Sequence, residues 1–429
     1  MDQGIFERSG FHLQAESGAG DFKTLADSNG LTEEMAVDLA LLNNAAFQEQ
    51  LADLGLSRAD VIQAGLIANP DASMLFPLGP KQFEATITAP IEALWLRGER
   101  IEAAQLSAHR TAARLSQAGL DLIRDVRLAY ADLILARRRQ ALFEESAKLR
   151  EQMSVIAQTR VRAGEAIPLD AATAKVDAIQ AGLESRSIAY VVTIAEERLR
   201  ALLGAGAVRH AIAINDSPST AGGEWNVQAM VESAMGDRAD LKAAQLAVTA
   251  ATERAHLARV EWINVALIGD ANEKGAKGFE AGPGLRFTLP IFNQNQGIIA
   301  RADAEVQRLN RQKKTLEDKV ILDVREAHAR FAQAREDLAA WRTSILPALT
   351  EAVTLARKSY TAGETSIVQV IDTNRQLLDA RIREAQAASD LRKARAELER
   401  SVGRRLESQP STPASTATDS THTAPGPTP

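Results

Sequence analysis

Two short stretches of the chain alternate apolar and polar residues with a period of two. Between residues 82 and 94, Phe83, Ala85, Ile87, Ala89 and Ile91 alternate with Glu84, Thr86 and Thr88. Between residues 279 and 291, Leu285, Phe287, Leu289 and Ile291 alternate with Arg286 and Thr288. This period predicts strands with one apolar and one polar face. Each stretch follows another short strand pattern, so two strand pairs are expected, at about 68–94 and about 261–291.

Helical periodicity dominates the rest of the chain. A pair of moderate helices (about 32–66) precedes the first strand pair, and a very long helix (about 98–162) and a last helix (about 168–203) follow it. At 1.5 Å per residue the long helix spans roughly 95 Å. A helix of that length must pack along its side, in a coiled coil or an α-barrel. The pattern predicts a mainly α fold with a small β part.

The second half of the chain repeats this order of elements. Its predicted helices lie at about 226–259, 297–361 and 366–403. Residues 125–137 and 323–335 are identical at seven of thirteen positions with an offset of 198, and Ala163-Gly-Glu165 recurs as Ala362-Gly-Glu364 at an offset of 199. The duplication indicates two structural repeats. We therefore divide the chain into an N-terminal arm (1–30), a first repeat (31–204), a connector (205–225), a second repeat (226–403) and a disordered Ser/Thr/Pro tail (404–429).

Composition narrows the classes of function. The chain has 429 residues, a net charge of −6 and 4% aromatic residues, and an acidic balance argues against nucleic acid as a partner. Cysteine is absent, which excludes disulfides, thiolate metal sites and an acylated N-terminal cysteine. No run of about 18 apolar residues predicts a transmembrane helix. The first 30 residues contain no apolar core of an export signal.

The sequence contains no pattern typical of catalysis, and we expect neither an enzyme nor a cofactor. It lacks a phosphate-binding loop, a nucleophile elbow and a paired acid–base motif. The six histidines are spread out without metal-ligand spacing, so we expect no metal site. For the strand pairs two interpretations stay open. The apolar face contacts lipid in a membrane barrel, or a small soluble sheet caps a helical bundle, as in a coiled-coil scaffold or a periplasmic adaptor.

Three stretches, in their duplicated order, carry a resemblance to a known family. They are Leu289-Pro-Ile-Phe-Asn293 with Gly297-Ile-Ile-Ala-Arg301, Arg162-Ala-Gly-Glu165, and Tyr360-Thr-Ala-Gly-Glu-Thr-Ser-Ile-Val-Gln-Val-Ile-Asp372. With the repeat plan, they make the chain resemble the TolC-type outer-membrane efflux proteins over roughly residues 31–403.

This resemblance implies a homotrimer in which an α-barrel in the periplasm continues into a 12-stranded transmembrane β-barrel. The implied function is a passive exit duct in the bacterial outer membrane for drugs or metal cations. The implied partners are outer-membrane lipid, a periplasmic adaptor (membrane fusion) protein and an inner-membrane pump of the resistance-nodulation-division type.

The resemblance also points to candidate residues at the helical turns. It places Asp372, and Gln369 where relatives carry an earlier acid, at a pore gate. A ring of three carboxylates there would attract cations. It implies that the turns dock the adaptor through Arg162, Ala163, Gly164, Glu165, Ala362, Gly363 and Glu364. The residues themselves predict helix punctuation: Gly164 and Gly363 fit left-handed C-caps, and Ser366 to Gln369 fits a capping box.

Aromatic residues mark one end of the predicted strands. Trp95 is expected to close the first strand pair, Trp262 to open the second, and Phe292 to close it. If the strands run up and down, all three lie where the sheet meets the long helices. Aromatic side chains favour the membrane–water interface. We predict an interface girdle there, or alternatively packing against protein at the strand–helix junction.

Overall fold

The computed structural model describes most of the two predicted repeats. The described residues are 30–76, 78, 83–206, 211–216, 225–260, 265–273, 278–289 and 291–406. The predicted N-terminal arm up to residue 29, the tail beyond residue 406 and the predicted interface residue Trp262 lie outside them.

The same order of elements occurs twice. The first set consists of α1 (Glu33–Asn43), α2 (Ala45–Ala64), β1 (Asp71–Leu75), β2 (Glu84–Pro90), α3 (Glu92–Arg162) and α4 (Pro168–Leu202). The second set consists of α5 (Val227–Asp237), α6 (Ala239–Val260), β3 (Val265–Glu273), β4 (Phe279–Phe287), α7 (Gln296–Ala340), a π-helical turn (Trp341–Ile345), α8 (Leu346–Thr361) and α9 (Ile367–Val402).

Pro90 makes the first strand pair shorter than the sequence pattern suggested. Strand β2 ends at this residue, which has no N–H of its own, and the N–H of Ile91 makes a last bond across to the carbonyl of Val265 at 3.0 Å. Helix α3 therefore begins at Glu92 rather than near residue 98, with an acidic side chain in its first turn, where the helix dipole favours it. Trp95 lies in the first turn of α3, so the prediction that it closes a strand is wrong.

The four strands form one antiparallel sheet in the order β1-β2-β3-β4. Strands β2 and β3, which come from different repeats, are neighbours, with Glu84 opposite Asn272 and Pro90 opposite Ala266. The sheet therefore joins the two repeats. Its helix-proximal end carries Val265 opposite Phe287, and its other end carries Glu273 opposite Phe279.

In both repeats a side chain between the first two helices donates a hydrogen bond to a carbonyl at the end of the last helix, which closes the repeat. In the first, Asn44 between α1 and α2 donates from its side-chain amide to the carbonyl of Leu202 at 2.9 Å. In the second, Arg238 between α5 and α6 donates to the carbonyl of Ser401 at 3.2 Å. Gly204 and Gly403 follow these carbonyls with positive φ, 69° and 84°, as left-handed helix C-caps do.

The second long helix is interrupted once. The aligned block nearest before the interruption (125–137 with 323–335) is offset by 198 residues, and the block after it (163–165 with 362–364) is offset by 199. The second repeat therefore has one residue more between these two blocks. The π-helical turn Trp341–Ile345 falls in this interval. A π turn is how a helix accommodates a single inserted residue. The predicted single helix over about 297–361 is thus two α-helices joined by this turn.

The helices pack in two layers that share α3. Near the sheet the contacts run α2–α3–α6–α7, and beyond the middle of α3 they run α4–α3–α9, with α9 against α7 and α8. Two apolar clusters lie where the layers meet, one around Val126, Leu133 and Leu199 and one around Val320, Val324 and Leu398. The two hairpins, α3–α4 and α7/α8–α9, extend from these clusters to free turns.

Candidate functional site

The sheet exposes a continuous apolar face. Cross-strand pairing puts Ala89, Leu267 and Leu285 in one row, and directly opposite residues share a face of a sheet. Ile87 and Leu285 are 55% and 64% exposed, and Phe287 is 61% exposed. A single chain thus leaves uncovered the face that a folded protein normally buries, and a patch of this kind marks a contact with lipid or with another protein.

The opposite face of the sheet is polar. Thr86 lies across from Asp270, and its hydroxyl donates to the Asp270 carboxylate at 2.9 Å. Asn272 donates its side-chain amide to the same carboxylate at 2.5 Å. Glu84 and Glu280 flank Asn272 in the next row. The pairing confirms the predicted two-faced strands, with polar side chains that suit contact with water.

The two hairpin turns have the same geometry. Gly164 and Gly363 have φ of 77° and 78°, as predicted for left-handed caps. The N–H of Glu165 donates to the carbonyl of Arg160 at 2.9 Å, and the N–H of Glu364 donates to the carbonyl of Ser359 at 2.9 Å, which is a Schellman arrangement. All seven predicted docking residues are exposed: Arg162, Ala163, Gly164, Glu165, Ala362, Gly363 and Glu364.

The helices after the turns begin in different ways. Pro168 starts α4, as predicted for a first-turn proline. Ser366 precedes α9, but its hydroxyl accepts no bond from the first turn. The N–H of Gln369 donates to the Ser366 carbonyl at 3.2 Å instead. The predicted capping box is therefore wrong, because a tight first turn brings the backbone carbonyl to the N–H that the side chain would have capped.

The turns of the two hairpins lie side by side. The guanidinium of Arg160 is 4.7 Å from the centre of the Tyr360 ring, and it donates to the Tyr360 carbonyl at 3.2 Å. A small core beneath them contains Ala157, Ile367 and Val370. The two predicted docking segments therefore form one exposed surface, which we call the tip.

The predicted gate residues occupy one side of α9 just behind the tip. Gln369 and Asp372 are both exposed and three residues apart, so they project from neighbouring positions on the helix. The Asp372 carboxylate accepts a hydrogen bond from the side-chain amide of Gln376 at 2.8 Å. No cation in the described residues pairs with Asp372 at ion-pair distance, and its charge is available to solvent.

A buried aspartate behind the tip ties the two hairpins together. The Asp177 carboxylate on α4 is 4% exposed and accepts from Arg150 on α3 at 3.2 Å. It also forms an ion pair with Arg375 on α9. Sequence reasoning missed this link. The available signal was a charged residue among Ala174, Ala178 and Ala181, which form the buried face of α4.

The aromatic residues near the sheet are only partly described. Trp95 and Phe292 are exposed at the helix-proximal end, while Trp262 lies outside the described residues. At the other end Phe76 and Phe83 pack with their ring centres 5.7 Å apart. The girdle therefore stays a prediction.

The described residues contain neither a membrane-spanning helix nor a metal-binding cluster. None of the helices there is long and apolar enough to cross a membrane. In the same part of the chain, no three residues of the types His, Cys, Asp or Glu are grouped so that they could hold a metal ion.

Residues 230–404, almost all of the second repeat, match the model of the outer membrane efflux protein family. The chain is 26% identical over 390 residues to the cobalt-zinc-cadmium resistance protein CzcC of Cupriavidus metallidurans, covering 87% of this chain and 90% of that protein. It is 28% identical to the nickel-cobalt-cadmium resistance protein NccC of Alcaligenes xylosoxydans xylosoxydans, over 61% of this chain and 60% of that protein.

The fold also matches a solved outer-membrane channel. The channel OprN superposes with a TM-score of 0.74 at 17% identity, covering 89% of this chain and 92% of OprN. The chain therefore shares the fold of OprN. The match to the outer membrane efflux protein family over the second repeat, together with the likeness to CzcC, confirms the resemblance found in the sequence. This is a family of transport components and not of enzymes.

Proposed function

We propose that the chain is the outer-membrane exit duct of a tripartite export system and conducts solutes passively. The observation that carries the proposal is the two-faced sheet, whose exposed apolar residues oppose a hydrogen-bonded polar face, at the end of helices too long for a compact domain. In a membrane barrel the apolar face contacts lipid and the polar face lines a water-filled lumen. The duct lies in the outer membrane and its helices extend into the periplasm.

Three chains complete the barrel in this proposal. One chain contributes four strands and leaves β1 and β4 as open edges, which a membrane cannot tolerate. A closed ring of three chains pairs each β4 with the next β1 and gives 12 strands. Closure with threefold symmetry requires two different surfaces that fit each other.

The helical part of the chain offers two such surfaces. In the layer beyond the middle of α3, helix α4 lies at one edge and α8 lies at the other. The free side of α4 carries an exposed apolar stripe composed of Val176, Ile179, Leu183, Tyr190 and Ile194. On the opposite edge Leu322 of α7 and Leu355 of α8 are exposed. We propose that the stripe of one chain packs against α7 and α8 of the next, which buries both.

The tip is the proposed docking surface for the periplasmic adaptor, and the channels of this family work with an adaptor and an inner-membrane pump. Beside the two glycine turns, Ile167, Leu169 and Val368 are exposed apolar residues. An adaptor surface made of small and apolar residues would bury these three side chains. Asp372 is the proposed gate charge behind this surface.

Divalent metal cations are the proposed cargo. CzcC and NccC, whose names record resistance to cobalt and cadmium, support this assignment. In the proposed trimer three copies of Asp372 would face the narrow end of the duct and attract cations.

Neighbouring residues on opposite sheet faces provide the test. We expect the wild-type protein to fractionate with the outer membrane, to run as a trimer on an unheated gel and to conduct ions across a planar bilayer. Ile87→Lys puts a charge on the apolar face, and we expect it to lower the amount of trimer in the membrane, since a lysine facing lipid costs about 2–4 kcal/mol at mid-depth. Thr88→Lys is the matched control on the polar face. A soluble monomer without conductance, or equal effects of both substitutions, would refute the proposal.

A further inference from the structure

A cleft opens on one side of the layer α2–α3–α6–α7. Its volume is about 810 Å³, and residues from all four helices line it. Since α2 and α7 are the two ends of the layer and both reach the cleft, the layer is concave on this side. Counted along α3, Arg110 is about 27 Å from the start of the helix at Glu92, so the cleft lies well away from the sheet.

Four arginines from three helices lie in or beside this cleft. Arg110 and Arg114, one turn apart on α3, line it. Arg254 of α6 and Arg308 of α7 lie close enough to act electrostatically on Arg110. Arg254 is held towards α3 by a hydrogen bond of 2.6 Å to the Ser107 hydroxyl. Burial, followed by the charges of Arg114 and Arg254, lowers the pKa of Arg110.

The acids around the cleft do not balance these charges. Glu305 is bonded to Arg308 at 2.5 and 2.8 Å. Of the aspartates that line the cleft, Asp121 pairs with Arg400 and Asp240 with Arg238, which leaves Asp53. In the part of the chain that the structure describes, neither Arg110 nor Arg114 hydrogen-bonds to a carboxylate. Like charges four residues apart on a helix destabilise it, unless an anion lies between them.

A second groove continues the basic surface along α7. Gln312 and Leu316 line both the groove and the cleft. The groove is also lined by three basic residues of α7, Arg308, Arg311 and Lys319. The basic residues therefore form a band that extends from α3 across α7.

We propose that the cleft binds a small multivalent oxyanion of the phosphate or sulfate class through Arg110 and Arg114. The planar guanidinium groups suit two parallel hydrogen bonds to such an anion, and the open cleft admits it from water. The direction in which the cleft faces rests on the proposed function. In a ring of three chains the concave sides face the duct, and three clefts form a basic band about 75–80 Å from the tip along the helices.

Binding of inorganic phosphate to the purified full-length protein in detergent, at low ionic strength, tests the site. Calorimetry should show saturable binding of one phosphate per chain. Arg114→Gln changes an exposed residue and should weaken binding at least about tenfold, a loss of about 1.4 kcal/mol, and Arg110→Gln should do the same. The control is Arg325→Gln, which removes the same charge from an exposed position of α7 outside the cleft. Non-saturating binding, or equal binding by all three variants, would overturn the inference.

Bilayer conductance separates this inference from the proposed function. With a salt gradient at low ionic strength, phosphate should shift the reversal potential of the wild type and leave that of Arg114→Gln almost unchanged. A protein that binds phosphate through these arginines but does not conduct has the anion site and lacks the duct function. A protein that conducts normally but binds no phosphate lacks the anion site.

Discussion

The two repeats of the chain have almost the same backbone but different side chains at equivalent places. Asn44 closes the first repeat with one amide hydrogen bond, while Arg238, 1% exposed, closes the second through Asp240, Asp323 and a carbonyl. Burial alone lowers the pKa of Arg238, but Asp240 and Asp323 raise it above its ordinary value. The backbone therefore has the same conformation where each repeat closes. A neutral side chain stabilises that conformation in the first repeat, and a charged side chain paired with two carboxylates stabilises it in the second.

A second pair of equivalent residues shows the same pattern. Tyr130 of α3 places its hydroxyl 2.8 Å from the Leu31 carbonyl and 2.7 Å from the Asn215 carbonyl. The equivalent His328 of α7 lies with Nε2 3.1 Å from the Trp225 carbonyl. Both side chains hold backbone that runs beside the repeat. The repeats differ most in their hairpins, since α3 is continuous and the second hairpin has the π-helical turn.

Removing the carboxylate that joins the two hairpins should have the largest effect. Asp177→Ala leaves Arg150, which has a side chain 9% exposed, as a buried cation without its partner. Loss of one member of a buried pair costs about 3–5 kcal/mol, and the tie to Arg375 is lost with it. We expect a clear decrease in the temperature at which the purified protein unfolds, followed by circular dichroism.

An exposed ion pair is the control for this measurement. Asp318 and Lys314 pair on the surface of α7, with side chains 67% and 69% exposed. Asp318→Ala should leave the unfolding temperature almost unchanged, because solvent screens an exposed pair. If both substitutions lowered the unfolding temperature equally, the Asp177 link would not hold the hairpins together.

Substitution of the two glycines that close the repeats, Gly204 and Gly403, by alanine should lower the free energy of unfolding by different amounts. A Cβ at Gly204 would lie 2.2 Å from the backbone oxygen of Asn43, whereas one at Gly403 would lie 3.1 Å from a side-chain carbon of Arg238. Left-handed backbone costs a non-glycine residue about 1–2 kcal/mol, and the backbone clash adds to this. We expect Gly204→Ala to destabilise by about 3 kcal/mol and Gly403→Ala by less.

The glycines of the hairpin turns separate the conformational cost of left-handed backbone from the cost of a steric clash. Gly164 and Gly363 have similar positive φ, but a Cβ there would meet open space. Gly164→Ala should therefore show the conformational cost alone, about 1 kcal/mol. Equal unfolding free energies for Gly204→Ala and Gly164→Ala would show that the approach of Asn43 does not matter.

Periodicity and duplicated punctuation sufficed to predict the order of elements. Gly164, Gly363 and Pro168 have the local conformations that their residue types favour, because those preferences depend only on neighbouring residues. The end of β2 was predicted too far along the chain, although Pro90 was visible as a residue that cannot extend a ladder. The π-helical turn escaped prediction because one extra residue does not disturb the apolar pattern of an alanine-rich helix.

The candidate site was less predictable than the fold. The Asp177 link requires α3, α4 and α9 to meet, and the basic cleft requires α3, α6 and α7. Such groupings depend on packing between elements far apart in the chain. The sequence pointed correctly to the family resemblance and to the exposed turns, while the roles of Asp372 and of the turns in docking stay predictions.

Tyr130→Phe should have a moderate effect. Removing the hydroxyl leaves the carbonyls of Leu31 and Asn215 without this donor, at a cost of about 1 kcal/mol. Burial, then the charge of Glu33, raises the pKa of Tyr130 from 10.0 to about 12. The neutral hydroxyl is thus favoured in the folded state, and its contribution to stability is lost as the pH rises from about 10 to 12. Unfolding free energies of the phenylalanine variant should fall less over this range. An identical decline in both proteins would contradict the role given to Tyr130.

Asp372→Asn should have the smallest effect, and it compares the two hairpins directly. With the offset of 199 at the turns, Asp372 of the second repeat corresponds to Thr173 of the first, so the two hairpins present different charges behind similar turns. Three carboxylates about 8 Å from a passing cation contribute about 0.5 kcal/mol each in water. We expect the substitution to lower cation preference about two- to tenfold, measured as a reversal potential at low salt, where screening is weakest. Thr173→Val, which leaves the charge unchanged, is the matched control. A reversal potential that does not change in Asp372→Asn would place the selective part of the duct elsewhere.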